Sequence, residues 1–265
     1  MLALTLAQGL YFAATPCTVV LPPELQQGDL VRGRAPPASV ISYAGRRLAQ
    51  TAAGEFVFGI ASNAPKIVTL KIQASTCRAT LNVAVVQRSY RSERVDGVPQ
   101  NTVTPDAETA KRIALEGAMI QKARAVDSNL LFWQQPFQWP ATGRISGVYG
   151  SQRILNGLPS SPHLGLDMAA ATGTPVVAAL SGKVSLAHSD MIMTGKTLII
   201  DHGFGVNTIY IHMSELAVQQ GQLVNAGQHI GAIGSTGRSS GPHLHFQVQW
   251  YQEKLDPALV LPVQN

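Results

Sequence analysis

The sequence predicts a mainly β protein in two parts joined by a single helix. Short runs of Val, Ile and Thr recur along the chain, and β-branched side chains suit a pleated backbone. Glycine (24 residues) and proline (16) punctuate those runs, as turn formers do. One segment, near residues 104–126, carries both a helix opening and a helix ending. The chain has 265 residues, enough for one large domain or two ordinary ones, and 45% of them are apolar. A packed core is therefore within reach, and global disorder is excluded. Charged residues make up 13%, against about 25% in soluble proteins generally.

Residues 1–16, MLALTLAQGLYFAATP, form a signal-like segment. They are apolar and end in small residues, as a secretory signal does, but lack its basic start. Export is the expectation, and an apolar strand is the alternative. Pro16 stands where a lipid anchor on Cys17 needs a small residue, so no such anchor is expected. No later stretch reaches the apolar length of a membrane-spanning helix, so no transmembrane segment is expected. Neither Cys17 nor Cys77 has a Cys or His at zinc-finger spacing, which argues against a cysteine metal site. In an oxidising compartment the two are expected to form a disulfide closing the first part. Two buried free thiols are the alternative.

Residues 17–90 read as a small antiparallel β-sandwich. Strand-like runs at Ser39–Tyr43, Glu55–Phe58 and Ile67–Ile72 are separated by turn signals at Ala44-Gly45, Ala53-Gly54 and Ser62–Pro65. No catalytic constellation falls there, so positioning or binding is its expected task. Residues 91–130 read as linker and helix. Residues 91–104 are polar and irregular. Thr104 is the expected N-cap, with Pro105 at the first helical position and Asp106 and Glu108 at the positive end of the dipole. The helix is expected to reach about Val126, with Ile113, Met119, Ile120 and Ala123 on its apolar face. Residues 131–265 return to β patterning, with runs at Pro175–Ala179, Thr197–Ile200 and Asn207–Ile211 between glycines. No internal repeat marks a solenoid.

Net charge is +5. A basic surface suits an anionic partner such as nucleic acid, an anionic lipid surface or an acidic cell-wall polymer, and it is equally a modest bias without a partner. No run of five Lys or Arg and no aromatic-basic stripe occurs, so nucleic acid is not expected.

All seven histidines follow residue 160. In His243-Leu244-His245-Phe246-Gln247-Val248-Gln249-Trp250, polar and apolar residues alternate, the mark of a strand with one buried face. His243 and His245 then share a face, about 7 Å apart. The loop Gly234–Pro242 before them is turn chemistry and can rim a cleft. His163 and Asp167 stand four apart, and Pro159 and Pro162 argue against a helix, so in an extended segment they too share a face. An imidazole and a carboxylate are good Zn²⁺ ligands. One further histidine would complete a three-ligand set with an open position, the catalytic arrangement. The spacing alone leaves open which histidine of the pair is the third ligand.

These motifs resemble those of the lysostaphin-type (LytM) zinc endopeptidases, which cut peptides in bacterial peptidoglycan. The resemblance spans about residues 140–260. It includes Pro162–Asp167, Gly173-Thr174-Pro175-Val176, Asp201-His202-Gly203, Tyr210–Ser214 and Gly237–His245. It implies an antiparallel β-sheet metallopeptidase domain with one Zn²⁺ per chain, held by His163, Asp167 and His245. It implies His212 and His243 as active-site residues off the metal. The implied substrate is peptidoglycan peptides, the implied location the periplasm or cell envelope, and a regulatory protein partner is compatible with both. No His-Glu-x-x-His glutamate is present, so the base would be histidine, whose unperturbed pKa of about 6.5 suits that task. The alternatives are a non-catalytic cell-wall-binding regulator of another hydrolase and a zinc-stabilised binding module with a fourth ligand. His188, His202 and His229 are expected to be structural or on the surface. Asn156 is expected in an Asn-Gly turn, the alternative being contact with substrate or, in an inhibited state, approach to the metal. Arg238 is expected either to meet a substrate carboxylate or to stay solvated.

Overall fold

Alternation in the sequence becomes alternation in burial. Along Ile67–Gln73, Val68, Leu70 and Ile72 are buried while Ile67, Thr69, Lys71 and Gln73 are exposed. In this computed structural model, which describes residues 17–263, that strand belongs to a five-stranded sheet. The signal-like segment 1–16 lies outside the described residues. The sheet's order is Leu25–Gln26, Arg78–Val86, Ile67–Gln73, Val40–Tyr43 and Arg46–Leu48. A two-stranded sheet, Leu30–Arg34 with Glu55–Gly59, accompanies it and contributes Phe56 and Phe58 to the same core as Ile41, Leu70 and Ile72. Cys17 and Cys77 form a disulfide, with Cα atoms 5.2 Å apart.

The larger sheet has ten strands. Its central path runs Gly182–Met191, Gly195–Gly203, Val206–Leu216, His243–Trp250, Leu166–Ala169 and Arg144–Gly147, every pair antiparallel. The chain is mainly β, as its composition implies. Leu244, Phe246 and Val248 are wholly buried on one face, with Met168 and Tyr210. The opposite face was expected to be open, yet His245 and Gln249 are buried as well. A central strand is covered on both sides.

The two β regions share one continuous core. A Cβ at Gly59 would come within 2.9 Å of Leu255 and 3.0 Å of Trp250, so glycine permits the close approach. The rings of Tyr43 and Trp250 lie 6.0 Å apart, and the Arg46 guanidinium sits 3.7 Å from the Tyr251 ring centre.

The helix runs Ala107–Arg124, so Pro105 precedes the N-cap rather than opening the helix, and two further details differ from expectation. Its N-cap is Asp106, whose carboxylate accepts from the Thr109 N–H at 2.7 Å. Thr104 instead closes the turn after a short 3-10 helix, donating its N–H to the Gln100 carbonyl. The apolar face is also narrower than the spacing implied. Ile120 and Ala123 pack on Leu186, Met191, Ile199, Ile209 and Ile211, but Met119 faces water. Polar contacts do the rest: buried Glu116 accepts from the Ile192 N–H at 2.8 Å, and Arg124 donates to the Gln252 carbonyl at 2.7 Å. Among the described residues no helix is long and apolar enough to cross a membrane.

The polar segment after residue 90 is not wholly irregular. Ser92–Val95 is a strand pairing in parallel with Gln152–Leu155. That strand turns back into Leu158–Pro159 through Asn156-Gly157, with φ of 47° and 84°. Both values suit the tight hairpin turn that Asn-Gly favours.

Replacing both Cys17 and Cys77 by serine should cost about 2–4 kcal/mol, since the disulfide closes a long loop in the unfolded chain. Urea denaturation of the oxidised protein and the double variant measures this.

Candidate metal and catalytic site

Strand register assembles the site. Asp167 lies directly opposite His245, and Ala169 opposite His243. On its other side His245 pairs with Ile211. His163 comes from the loop before Leu166. Its N–H donates to the Ser151 carbonyl at 2.8 Å, and its own carbonyl accepts from Gly150 N–H at 2.6 Å. That loop crosses close above the strand, which Gly165 allows: a Cβ there would lie 2.5 Å from His245 Cε1.

Three donor atoms meet at one buried point. His163 Nε2 is 3.0 Å from Asp167 Oδ1 and 2.8 Å from His245 Nδ1, and His245 Nδ1 is 2.6 Å from Asp167 Oδ1. Burial opposes charge on Asp167, but His245 and His163 outweigh it, and the carboxyl pKa lies well below its ordinary value. Arg153 Nη2 donates to the outer oxygen, Asp167 Oδ2, at 2.5 Å. Burial pushes the His245 pKa down to about 4, against the pull of Asp167, so its ring is neutral at pH 7.

The hydrogen bonds behind these atoms test whether a metal fits. His163 Nδ1 lies 2.9 Å from the Val148 carbonyl and must donate to it, which leaves Nε2 bare. His245 Nε2 lies 2.8 Å from the Gln247 side-chain amide, which lies 2.5 Å from that of Gln249. With the amide nitrogens turned toward His245, the buried Gln249 Oε1 has no partner, and neither has Oδ1 of Asn207, directly opposite Gln249. Turning both glutamine amides gives a continuous series: His245 Nε2–H donates to Gln247 Oε1, and the Gln247 amide N–H donates to Gln249 Oε1. Amide orientation follows from the hydrogen-bond network, and this orientation gives Gln249 Oε1 the donor it otherwise lacks. It also leaves His245 Nδ1 bare. Two imidazole lone pairs and a carboxylate then face one another, an arrangement that a divalent cation satisfies and a hydrogen bond does not.

Two further imidazoles adjoin that point. His243 Nδ1 donates to the Gly241 carbonyl at 2.9 Å, and its Nε2 is 3.9 Å from Asp167 Oδ1. His212 Nδ1 donates to the Thr236 carbonyl at 2.8 Å, and the His212 and His243 ring centres are 4.8 Å apart. Strict alternation would send the His212 side chain to the opposite face from Ile211 and His245. The register shifts here: Leu198 pairs with Tyr210, but Lys196 with Met213. This bulge inserts one residue, and His212 takes a φ of +64°. Such a conformation costs about 1–3 kcal/mol in a residue other than glycine, and the surroundings must hold it. The Thr194 carbonyl accepts from the His212 N–H at 2.9 Å, and Thr236 fixes the ring. Burial, helped by His243 and His245, pushes the His212 pKa down to about 3. The ring is neutral, with Nε2 bare.

A cavity of about 310 Å³ opens beside His212 and His243, walled by Glu93 and Val95 from the strand Ser92–Val95 and by Arg144, Arg153 and Arg238. The structure thus gathers all five residues implied by the resemblance: His163, Asp167, His245, His212 and His243. Sequence reasoning missed Arg153, Gln247 and the Ser92–Val95 wall. Gln247 was visible only as a polar residue on the histidine face. Asn156 serves the turn, its amide donating to the Val98 carbonyl at 2.9 Å. His202 is structural: its ring nitrogens meet the Ser181 carbonyl at 2.7 Å and Thr208 Oγ1 at 2.8 Å, and burial lowers its pKa to about 4. His229 is exposed.

Residues 161–257 match the family model described as Peptidase family M23. That stretch is an M23 peptidase domain. Among M23 relatives, the peptidoglycan DD-endopeptidase ShyB of Vibrio cholerae is 42% identical over 87 residues, covering 33% of this chain and 20% of that protein. The DD-carboxypeptidase/endopeptidase Mpg of Neisseria meningitidis is 40% identical over 98 residues, covering 37% of this chain and 22% of that protein. A crystal structure from Pseudomonas aeruginosa, described as a peptidase M23, aligns with a TM-score of 0.66 at 28% identity, covering 94% of this chain and 95% of that one. The chain spans about a fifth to a half of the length of the curated relatives it matches.

Two outcomes follow from the buried hydrogen bonds. Gln247→Leu should weaken metal binding by about 10–100-fold, while Gln247→Glu, which still accepts from His245 Nε2, should retain it; competition with a chromophoric chelator reads both. His202 carries a pKa of about 4 when folded, below its unfolded value of about 6.5. Its contribution to stability is therefore complete above pH 6.5 and is lost as pH falls toward 4, by up to about 3 kcal/mol. Urea midpoints from pH 7 to 4.5 should fall less steeply in His202→Gln than in the wild type.

Proposed function

We propose that this M23 chain is an exported zinc peptidase that hydrolyses peptide bonds of bacterial peptidoglycan, in the periplasm or cell envelope. The observation that carries the reading is the convergence of bare lone pairs. Two imidazoles and a carboxylate aim at one point, and two further imidazoles lie beside it at the edge of a cleft. A closed structural site would supply a fourth protein ligand, and the described residues offer a group of three. The disulfide suits an oxidising compartment. The relatives named as peptidoglycan endopeptidases support the substrate class.

His163, Asp167 and His245 would hold one Zn²⁺, a Lewis acid that polarises a peptide carbonyl and makes water a nucleophile near neutral pH. The chain's own groups do the rest. His243 and His212 each have Nδ1–H tied to a backbone carbonyl, so each presents Nε2 as a proton acceptor. His243, nearer the cleft mouth, takes the proton of the attacking water at Nε2 and returns it to the leaving amine. His212, held neutral beneath it, orients the water by accepting a hydrogen bond at Nε2. Gln247 keeps the His245 ring turned correctly, and Arg153 keeps Asp167 from rotating away.

His245→Ala should lose bound zinc. His243→Ala should keep zinc and lose at least about 100-fold in rate, the scale of a removed proton-transfer group. Metal analysis, with muropeptide release from cross-linked stems containing a D-Ala–diaminopimelate bond, measures both, and a chelator should stop the release. Equal zinc in wild type and His245→Ala would overturn the ligand set. Unchanged muropeptides with zinc-loaded protein would favour a wall-binding regulator instead.

A further inference from the structure

The cleft beside the histidines carries more positive charge than its own acids balance. Arg144, Arg153 and Arg238 all line it, alongside His212 and His243. Arg153 has one partner, Asp167 Oδ2, and its buried Nε has none. Asp167 is itself committed to the metal position. Arg238 is only partly exposed, and among the described residues its guanidinium has no carboxylate within ion-pair distance and no hydrogen-bond acceptor. Glu93, the other acid on the wall, already accepts from Ser151 Oγ at 2.7 Å.

Two half-buried guanidinium groups lining one cleft repel each other. Burial and the charge of Arg153 both lower the Arg238 pKa, and the second cause places the two groups in each other's field. Such an arrangement is stabilised when an anion arrives. A guanidinium presents a planar fork of donors that matches a carboxylate. The loop Gly234–Pro242 that carries Arg238 also carries Thr236, which fixes His212, and leads directly into His243. An anion held by Arg238 is therefore positioned by the same backbone as the two imidazoles.

We propose that Arg238, backed by Arg153, forms a carboxylate-binding subsite, and that the substrate is an anionic peptide with a free carboxylate next to the bond that is cut. This rests on the peptidase reading above and narrows it. Peptidoglycan stems with free carboxylates qualify. Amidated stems and neutral glycine bridges leave the guanidinium pair unmatched.

The test uses the zinc-loaded full chain and two synthetic stem peptides, identical except that the carboxylates flanking the scissile bond are free in one and amidated in the other. Calorimetric binding and initial cleavage rates are both read. Wild type should prefer the free-carboxylate peptide by about 10–100-fold in affinity, as a charged hydrogen-bonded pair implies. Arg238→Gln should bind both peptides with the affinity wild type shows for the amidated one. Arg238→Lys, a point charge without the fork, should recover part of the preference. The wild-type preference should shrink as salt rises. Equal affinity of wild type for the two peptides overturns the subsite, and so does a preference that persists in Arg238→Gln. Selective binding through Arg238 with neither peptide cleaved leaves the subsite standing and removes the hydrolytic reading. Cleavage of both peptides with equal KM does the reverse.

Discussion

The pairing of Leu166–Ala169 with His243–Trp250 is the constraint on which the site depends. It sets Asp167 opposite His245 and leaves Met168, Leu244 and Phe246 to the core. A shift of one residue would exchange the faces, burying imidazoles among aliphatic side chains and turning Leu244 and Phe246 onto the polar face. Chemistry and packing are thus locked to a single register. The core side chains that specify this register also bring Asp167 and His245 together, and the loop before Leu166 adds His163 to a group able to hold a metal.

Within that frame a bulge brings His212 to the histidine face. Its strained backbone is the cost of placing a fourth imidazole where alternation forbids one. Packing around Thr194 and Thr236 sustains it. The imidazoles of the site share a further economy. Each has one nitrogen occupied by a carbonyl or an amide, so the other nitrogen is presented without its proton. At His163, His212 and His243 backbone carbonyls, whose positions the fold already fixes, thereby set which ring nitrogen is left bare.

Much of this was legible in the sequence, for local reasons. Ile67–Gln73 and His243–Trp250 alternate in sequence and are strands in the structure. The ligand-type residues stood out because His163 with Asp167 and His243 with His245 occur together at extended-chain spacings, while the choice of His245 came from the family resemblance. What was not legible depends on distant partners. Ser92–Val95 has no apolar alternation and is held by backbone hydrogen bonds to a strand some sixty positions away. The bulge at His212 arises from the meeting of two strands, which neither encodes alone. The helix was read as amphipathic because its apolar residues were counted, whereas Glu116 and Arg124 take the buried positions by bonding to backbone groups of other segments. Gln247 looked like a routine polar position until its neighbours were in view.

The parallel pairing of Ser92–Val95 with Gln152–Leu155 also bears on how the molecule can be divided. A fragment that began after the helix would retain every imidazole of the site, yet Gln152–Leu155 would lose its neighbour on one side. Its unpaired N–H and C=O groups would form a sticky edge, inviting another chain to add itself. The cleft would lose Glu93 and Val95 with that strand. The smallest portable unit that keeps the site therefore begins before residue 91, upstream of the helix, and a shorter excision would tend to self-associate.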